Sequence, residues 1–247
     1  MSVSIPSIAV NDVTVSESAG ALIFTITKTG ATLQTTTVNY TTNDGSATGS
    51  NDFTADSGNI TFTAGQTQAY VTIAITNDVI FEGSETFTLD LSTPVNATIS
   101  DNQAIGTITN DDAAPTITLN DVTANEEAGT FVFTVTKSGP TAVTTTVNYT
   151  TSDGTATSSN DYVTNTGTLT FTAGQTQAFI TVTISNDNIF EGTETFNVNL
   201  TGATNAVISD NQGLGTIIDD ADRPSLVIND VTVNEQAGTM VFTVSKS

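Results

Sequence analysis

The sequence predicts an all-β chain of tandem sandwiches, and three observations carry that prediction. The first is self-similarity: Pro6, Pro115 and Pro224 open segments that align without a gap at a period of 109 residues, and more than half of the aligned positions are identical between the first two copies. A period of that length marks an array of domains rather than a solenoid of short repeats. The second is apolar residues alternating with Thr and other small polar residues over short runs, with no sustained helical period. The third is turn chemistry between those runs, in Asn43-Asp44-Gly45, Ala64-Gly65-Gln66 and Ser100-Asp101-Asn102, residues that tolerate tight or left-handed backbone. About 100 residues with seven alternating strands is the pattern of an immunoglobulin-like sandwich. The prediction is therefore two tandem immunoglobulin-like seven-stranded β-sandwiches, residues 6–114 and 115–223, with 224–247 as the truncated start of a third repeat.

In unit one the first strand, 7–10, ends at Asn11-Asp12, which reads as a bend. Leu-Ile-Phe-Thr-Ile-Thr gives a second strand at 22–27, after Glu17-Ser-Ala-Gly, and Thr-Thr-Val-Asn-Tyr-Thr-Thr a third at 36–42. The runs 59–63, 69–75, 86–91 and 105–109 supply the rest. Thr suits these strands because it is β-branched yet tolerates the solvent face. Every aromatic of unit one has an aromatic counterpart in unit two, lying in a strand or beside a Phe-Glu pair, so the aromatics read as core. The junctions are short, with Ala113-Ala114 before Pro115 and Ala221-Asp222-Arg223 before Pro224. Proline restricts itself and the residue before it, so consecutive units should sit nearly end to end. Residues 224–247 carry the opening strands of a unit without the sheet that would bury them, and should be mobile or dock elsewhere.

Composition removes many functions. Four basic residues against 26 acidic ones give a net charge of −22, so neutralisation of phosphate by Lys and Arg cannot drive binding to nucleic acid or anionic lipid. No stretch approaches the roughly 18 apolar residues of a membrane span. With no Cys and no His, disulfides, thiolate or imidazole zinc sites and His-dependent triads are impossible. Met1-Ser-Val-Ser-Ile-Pro6 has neither a basic n-region nor an apolar h-region, so the chain reads as a fragment or as one exported by another signal.

The acids collect between strands. In unit one they are Glu17, Asp52, Asp78, Glu82, Glu85, Asp111 and Asp112; in unit two, Glu126, Asp161, Asp187, Glu191, Glu194 and Asp220. Loops joining alternate strand pairs of a sandwich emerge at one end, so these clusters can converge. Converging carboxylates raise one another's pKa or push the loops apart unless a multivalent cation neutralises them. All-oxygen ligation in an irregular, loop-built site suits Ca²⁺ better than the rigid octahedron of Mg²⁺. The competing reading is a set of solvated loop charges. Other acids read as structural: Asp44 and Asp153 precede Gly in turns, Asp101 and Asp210 sit in Asp-Asn turns, and Asp12, Asp121 and Asp230 follow Asn in a bend.

Asn77-Asp78-Val-Ile-Phe81-Glu82-Gly-Ser-Glu85-Thr-Phe87, repeated as Asn186-Asp187-Asn-Ile-Phe190-Glu191-Gly-Thr-Glu194-Thr-Phe196, resembles the Calx-beta domain. The resemblance extends to Glu17-Ser-Ala-Gly, Gly45-Ser-Ala-Thr-Gly-Ser-Asn-Asp52-Phe, Ile60-Thr-Phe-Thr-Ala-Gly-Gln and Ile105-Gly-Thr-Ile-Thr-Asn-Asp111-Asp112, and its first part recurs around Glu235. It implies Ca²⁺ ligation by these acids, joined in unit two by Asp219 to make seven in each unit, with the carbonyls of Ile80 and Ile189 as backbone ligands. Departures are Asn77 and Asn186 where richer family members carry an acid, and a closing run that is Asn110-Asp-Asp in one unit and Asp219-Asp-Ala in the other. Seven carboxylates suffice for one ion and leave room for more.

The leading functional expectation is a non-enzymatic Ca²⁺-binding structural module of a larger extracellular or cell-surface, adhesin-like repeat protein. Calcium would stabilise the domains and stiffen their junctions, and further repeats or neighbouring surface proteins would be its partners. The alternative is a Ca²⁺ sensor pair controlling an attached transporter or enzyme. A glycosidase built on paired carboxylates fits less well, because the acids recur in both units without a sugar-binding aromatic cleft.

Overall fold

The computed structural model describes residues 5–219 and 223–246. The chain divides into two compact units, one running to Ala114 and taking in Pro140–Val143, the other comprising Pro115–Gly139 and Thr144 onward. Unit one contains β1 (Ser7–Val10), β2 (Val13–Ser16), β3 (Ala21–Thr29), β4 (Thr36–Asn43), β5 (Ser57–Phe62), β6 (Gln68–Ala74), β7 (Glu85–Val95), β8 (Thr98–Ile99) and β9 (Gln103–Thr109). They form two sheets, ordered β6-β3-β1-β8 and β2-β9-β7-β4-β5. The architecture is the expected all-β sandwich, and all seven expected strands are present.

Two short strands are additional, and their origin is a switch between sheets. After β1 pairs with β3, the chain bends at Asn11-Asp12 and β2 joins the other sheet parallel to β9, with Ser16 opposite Thr109. The Asp12 carboxylate fixes the crossing by accepting a 2.8 Å hydrogen bond from the Ile105 N–H; Asp121 does the same for Leu214 in unit two at 2.7 Å. The two-residue β8 lies parallel to β1 and is too short for alternation to reveal it.

Between the sheets the alternate residues interlock. Ile8, Leu22, Phe24, Ile26, Val38, Phe62, Phe87 and Leu89 are fully buried. The Phe87 ring stacks on Phe53 at 4.1 Å between centroids and meets the edge of Phe24 at 5.9 Å, arrangements that favour the ring quadrupoles. Gly106 leaves the space for that ring: a Cβ there would lie 2.7 Å from Phe87. Lys28, also buried, holds its ammonium 5.5 Å from the Phe62 ring centroid.

Unit two repeats the plan with β10 (Thr116–Leu119), β11 (Val122–Asn125), β12 (Thr130–Lys137), β13 (Thr145–Asp153), β14 (Thr166–Phe171), β15 (Gln177–Thr183), β16 (Glu194–Thr204), β17 (Val207–Ile208) and β18 (Gln212–Ile218). Tyr162 replaces Phe53 in the stack, 4.5 Å from Phe196, and donates its hydroxyl proton to Asp153. Beyond it, β19 (Leu226–Ile228) and β20 (Val244–Lys246) pair as an antiparallel ribbon. Leu226, Ile228, Met240 and Phe242 are exposed there, although their repeat counterparts Ile8, Val10, Leu22 and Phe24 are core.

Two aromatic positions depart from the core reading. Tyr70 and Phe179 are 62% and 58% exposed on the outer faces of β6 and β15, because they alternate with the inward Val71 and Ile180. Phe190 is also largely exposed. No helix among the described residues is long and apolar enough to cross a membrane.

Candidate metal centre

The strand registers deliver the acids of unit one to one end of the sandwich. Because β2 and β9 run parallel with Ser16 beside Thr109, the chain leaves both strands side by side, and Glu17 lies next to the 110–112 segment. Glu17 opens a single 3-10 turn, Glu17–Ala19, closed by Gly20 at φ 71°, a left-handed conformation that glycine adopts without a Cβ penalty. The Gly20 carbonyl then accepts from Ile75 N–H at 3.1 Å, which holds this turn against the segment leading to Asp78.

The remaining acids are held by local hydrogen bonds and by strand register. Asp52 spends one carboxylate oxygen on Thr48, accepting from its N–H at 2.7 Å and its hydroxyl at 3.1 Å, and its carbonyl accepts from Thr76 N–H at 2.9 Å. Asp78 Oδ1 accepts from Ile80 N–H at 2.7 Å, and Asn110 Oδ1 from Glu82 N–H at 2.9 Å. Glu85 begins β7 opposite Ile108 of β9. Glu17, Asp52, Asp78, Glu82 and Glu85 thus line a single recess.

Two carboxylate triads result. Glu17, Asp78 and Asp112 form one and Asp52, Glu82 and Glu85 the other, each offering oxygens that lie within 4.8 Å of one another. Crowding without a counter-charge weakens these groups as acids and raises their pKa values. Burial, aided by the charges of Asp112 and Asp111, lifts the Glu17 carboxyl to about 7; the side chain is only 4% exposed. Burial and then the charges of Glu85, Asp52, Asp78 and Asp112 lift Glu82 to about 7, so Glu82 feels both triads. Glu85 is raised by burial and by Asp52.

Asp111 belongs to neither triad, although its carboxyl lies beside that of Glu17. It is exposed, its Oδ2 accepts from the Ser16 hydroxyl at 2.7 Å, and hydrogen bonds from Ser18 and Ser16 hold its carboxyl below the ordinary value. Asp112 belongs to the triad with Glu17 and Asp78, and its Oδ2 is buried with no hydrogen-bond partner among the described residues. A buried carboxylate oxygen left without a partner is costly, and a hard cation is the chemistry that removes that cost. The donor set is all oxygen and rich in carboxylate, held on loops of uneven geometry, which fits Ca²⁺.

In unit two Asp161, Glu191 and Glu194 form one such triad. Asp161 is bound to Thr157 as Asp52 is to Thr48. Asp187 Oδ1 accepts from Ile189 N–H at 2.7 Å, and Asp219 Oδ1 from Glu191 N–H at 2.9 Å, the place that Asn110 fills in unit one. Burial, then the charges of Asp161, Asp187 and Asp219, raises Glu191; burial, then Asp161 and Glu191, raises Glu194. Glu126 is buried at the counterpart of Glu17, and Asp220 lies outside the described residues. Asn110 was not among the acids singled out in the sequence, yet its amide oxygen positions the Phe-Glu loop. Its alignment with Asp219 was the available signal.

The model of the Calx-beta domain matches this chain twice, over residues 2–112 and 109–222. Among individual relatives, the mouse extracellular matrix organizing protein FRAS1 is 27% identical, over 93% of this chain and 6% of its own length. Mouse sodium/calcium exchanger 1 is 36% identical over 31% of this chain and 8% of its own length. The solved structure of CBD12 from CALX1.2 is 26% identical with a TM-score of 0.42, covering 80% of each chain. The chain therefore spans less than a tenth of the length of these curated relatives. With the family pattern matched across both repeats, the chain belongs to the Calx-beta domain family.

Proposed function

We propose that this chain is a non-enzymatic, calcium-binding structural module of a larger extracellular or cell-surface repeat protein of adhesin-like character. Ca²⁺ stabilises each unit and stiffens the junction that follows it. The observation that carries the reading is the pair of triads in unit one, above all the buried, unpartnered Oδ2 of Asp112. The unfolded chain keeps these charges apart and the folded chain gathers them, so an ion that binds only the fold adds stability, about 2.7 kcal/mol at one hundred times its dissociation constant. Asp112 stands close before Pro115, so an ion holding it to Glu17 and Asp78 also fixes where the next unit begins. The similarity to matrix proteins supports an extracellular setting. The similarity to sodium/calcium exchangers supports a second role for the same centre, a Ca²⁺ sensor controlling an attached transporter. Calorimetry in chelator and in excess Ca²⁺ tests the shared core: melting should move upward with calcium and binding should release or absorb heat. Superimposable melting curves with no binding heat would remove calcium from the account.

A further inference from the structure

We infer that the β19–β20 ribbon is a dimerisation surface, covered by the same ribbon of a second copy of this chain. The ribbon repeats the opening strand pair of the complete units. Leu226 lies opposite Lys246 and Ile228 opposite Val244, the register in which Ile8 meets Lys28 and Val10 meets Ile26. The pairing continues through Asn229, whose N–H donates to the Thr243 carbonyl at 3.2 Å, and alternation adds Phe242 and Met240 to the side of Val244. Leu226, Ile228, Met240, Phe242 and Val244 are exposed, whereas their counterparts Ile8, Val10, Leu22, Phe24 and Ile26 are buried core.

An isolated two-stranded hairpin is marginal in water, so a ribbon with this face calls for a cover, and two observations favour a second copy. The first is charge. Arg223 and Lys246 balance Asp230 and Glu235 along residues 223–247, so the whole net charge of −22 lies on the rest of the chain. Copies that repel one another elsewhere meet least resistance here. The second is size. Burying a Leu, Ile, Val, Met or Phe side chain removes on the order of 100 Å² of apolar surface from water, so two such five-residue faces together bury roughly 1,000 Å², where specific interfaces begin. Stacked across a two-fold axis, the ribbons make a closed, isologous contact. This minimal two-layer sandwich hides on both copies the face that β1 and β3 hide within unit one. The inference is independent of the calcium reading.

Sedimentation velocity of the full chain between roughly 1 and 100 µM, the range in which a contact of this size associates, tests this. The unmodified chain should show a reversible monomer–dimer equilibrium in chelator. Leu226→Asp combined with Phe242→Asp should hold it monomeric across the range, while Leu33→Asp, at an exposed apolar side chain of unit one, should leave the dimer intact. Calorimetry in chelator should show units one and two of the paired variant melting as in the unmodified chain, because neither residue belongs to their cores. For a variant that fails this check, Phe242→Ser alone should still raise the dimer dissociation constant about tenfold. An unmodified chain that stays monomeric throughout would overturn the proposal, whatever then covers the ribbon. A dimer that survives the paired substitution would place the interface elsewhere, and growth past the dimer would exclude the closed two-fold contact.

Discussion

Replacing Glu17 by Gln should stabilise the metal-free protein at alkaline pH and weaken the calcium-loaded one. The Glu17 carboxyl is buried beside Asp112 and Asp78 and has its pKa lifted from 4.5 to about 7. The folded state therefore holds a proton on this group that the unfolded state has released between those two values, and stability falls as pH rises through that window. Below about 4.5 the penalty is absent; above about 7 it is complete. The full shift corresponds to about 3 kcal/mol, and screening by solvent in the recess reduces this to the order of 1–2 kcal/mol. Gln keeps an oxygen for the Asp111 N–H, which Glu17 Oε1 accepts at 3.5 Å, and removes the charge. At pH 8 in chelator, unit one of E17Q should melt about 5 °C higher than the unmodified protein, using roughly 4 °C per kcal/mol for a domain of this size. At pH 5 the gain should shrink, because folded Glu17 is already protonated. In Ca²⁺ the order should reverse, since a ligand charge is gone. Differential scanning calorimetry under these conditions reads all three outcomes. A variant that melts lower in chelator by the same amount at both pH values would show that the Glu17 charge is compensated within the protein, and the electrostatic argument for a cation would fall.

The other consequences are simpler to state. Changing Asp78, Glu82 and Glu85 together to their amides should lower the calcium affinity of unit one at least about 100-fold, since hydrogen bonds and contacts of charged groups are worth roughly 1.5–3 kcal/mol each. Asp44→Asn should leave it unchanged by titration calorimetry, because Asp44 serves only the Gly49 N–H at 2.8 Å. Gly106→Ala should cost about 1–3 kcal/mol in urea unfolding through overpacking, because its methyl would meet the buried Phe87 and Phe24 rings. Small-angle scattering of the chain should give a narrower, longer distribution of distances in Ca²⁺ than in chelator; an unchanged distribution alongside confirmed binding would confine calcium to the individual domains.

Much of the fold was legible because the alternation is strong where a strand packs on one face. The turn acids were legible for a similar local reason: Asp44 and Asp101 accept from backbone N–H groups within a few residues of themselves. Tyr70 shows how a residue type can mislead where its place in the pattern does not. An aromatic in a strand reads as core, yet it sits out of phase with Val71 and Ile73, which are buried; the parity was in the sequence and carried more information than the side chain.

The candidate site was legible as a set of residues and not as a geometry, and β2 explains why. This strand is four residues long with a half-polar face, so period alone cannot distinguish it from the bend that precedes it. It is nevertheless the element that takes the chain from one sheet to the other and aligns Ser16 with Thr109. Without that parallel pairing, strand periodicity alone does not place Glu17 beside a segment more than ninety residues away. The same register decides between neighbours that composition treats as equal. Asp111 meets the hydroxyls of Ser16 and Ser18, while the next residue joins Glu17 and Asp78 with a buried carboxylate oxygen that has no hydrogen-bond partner among the described residues. Two adjacent aspartates in the segment after β9 thus acquire different surroundings, and the one that joins the triad is the residue that the second repeat replaces with alanine.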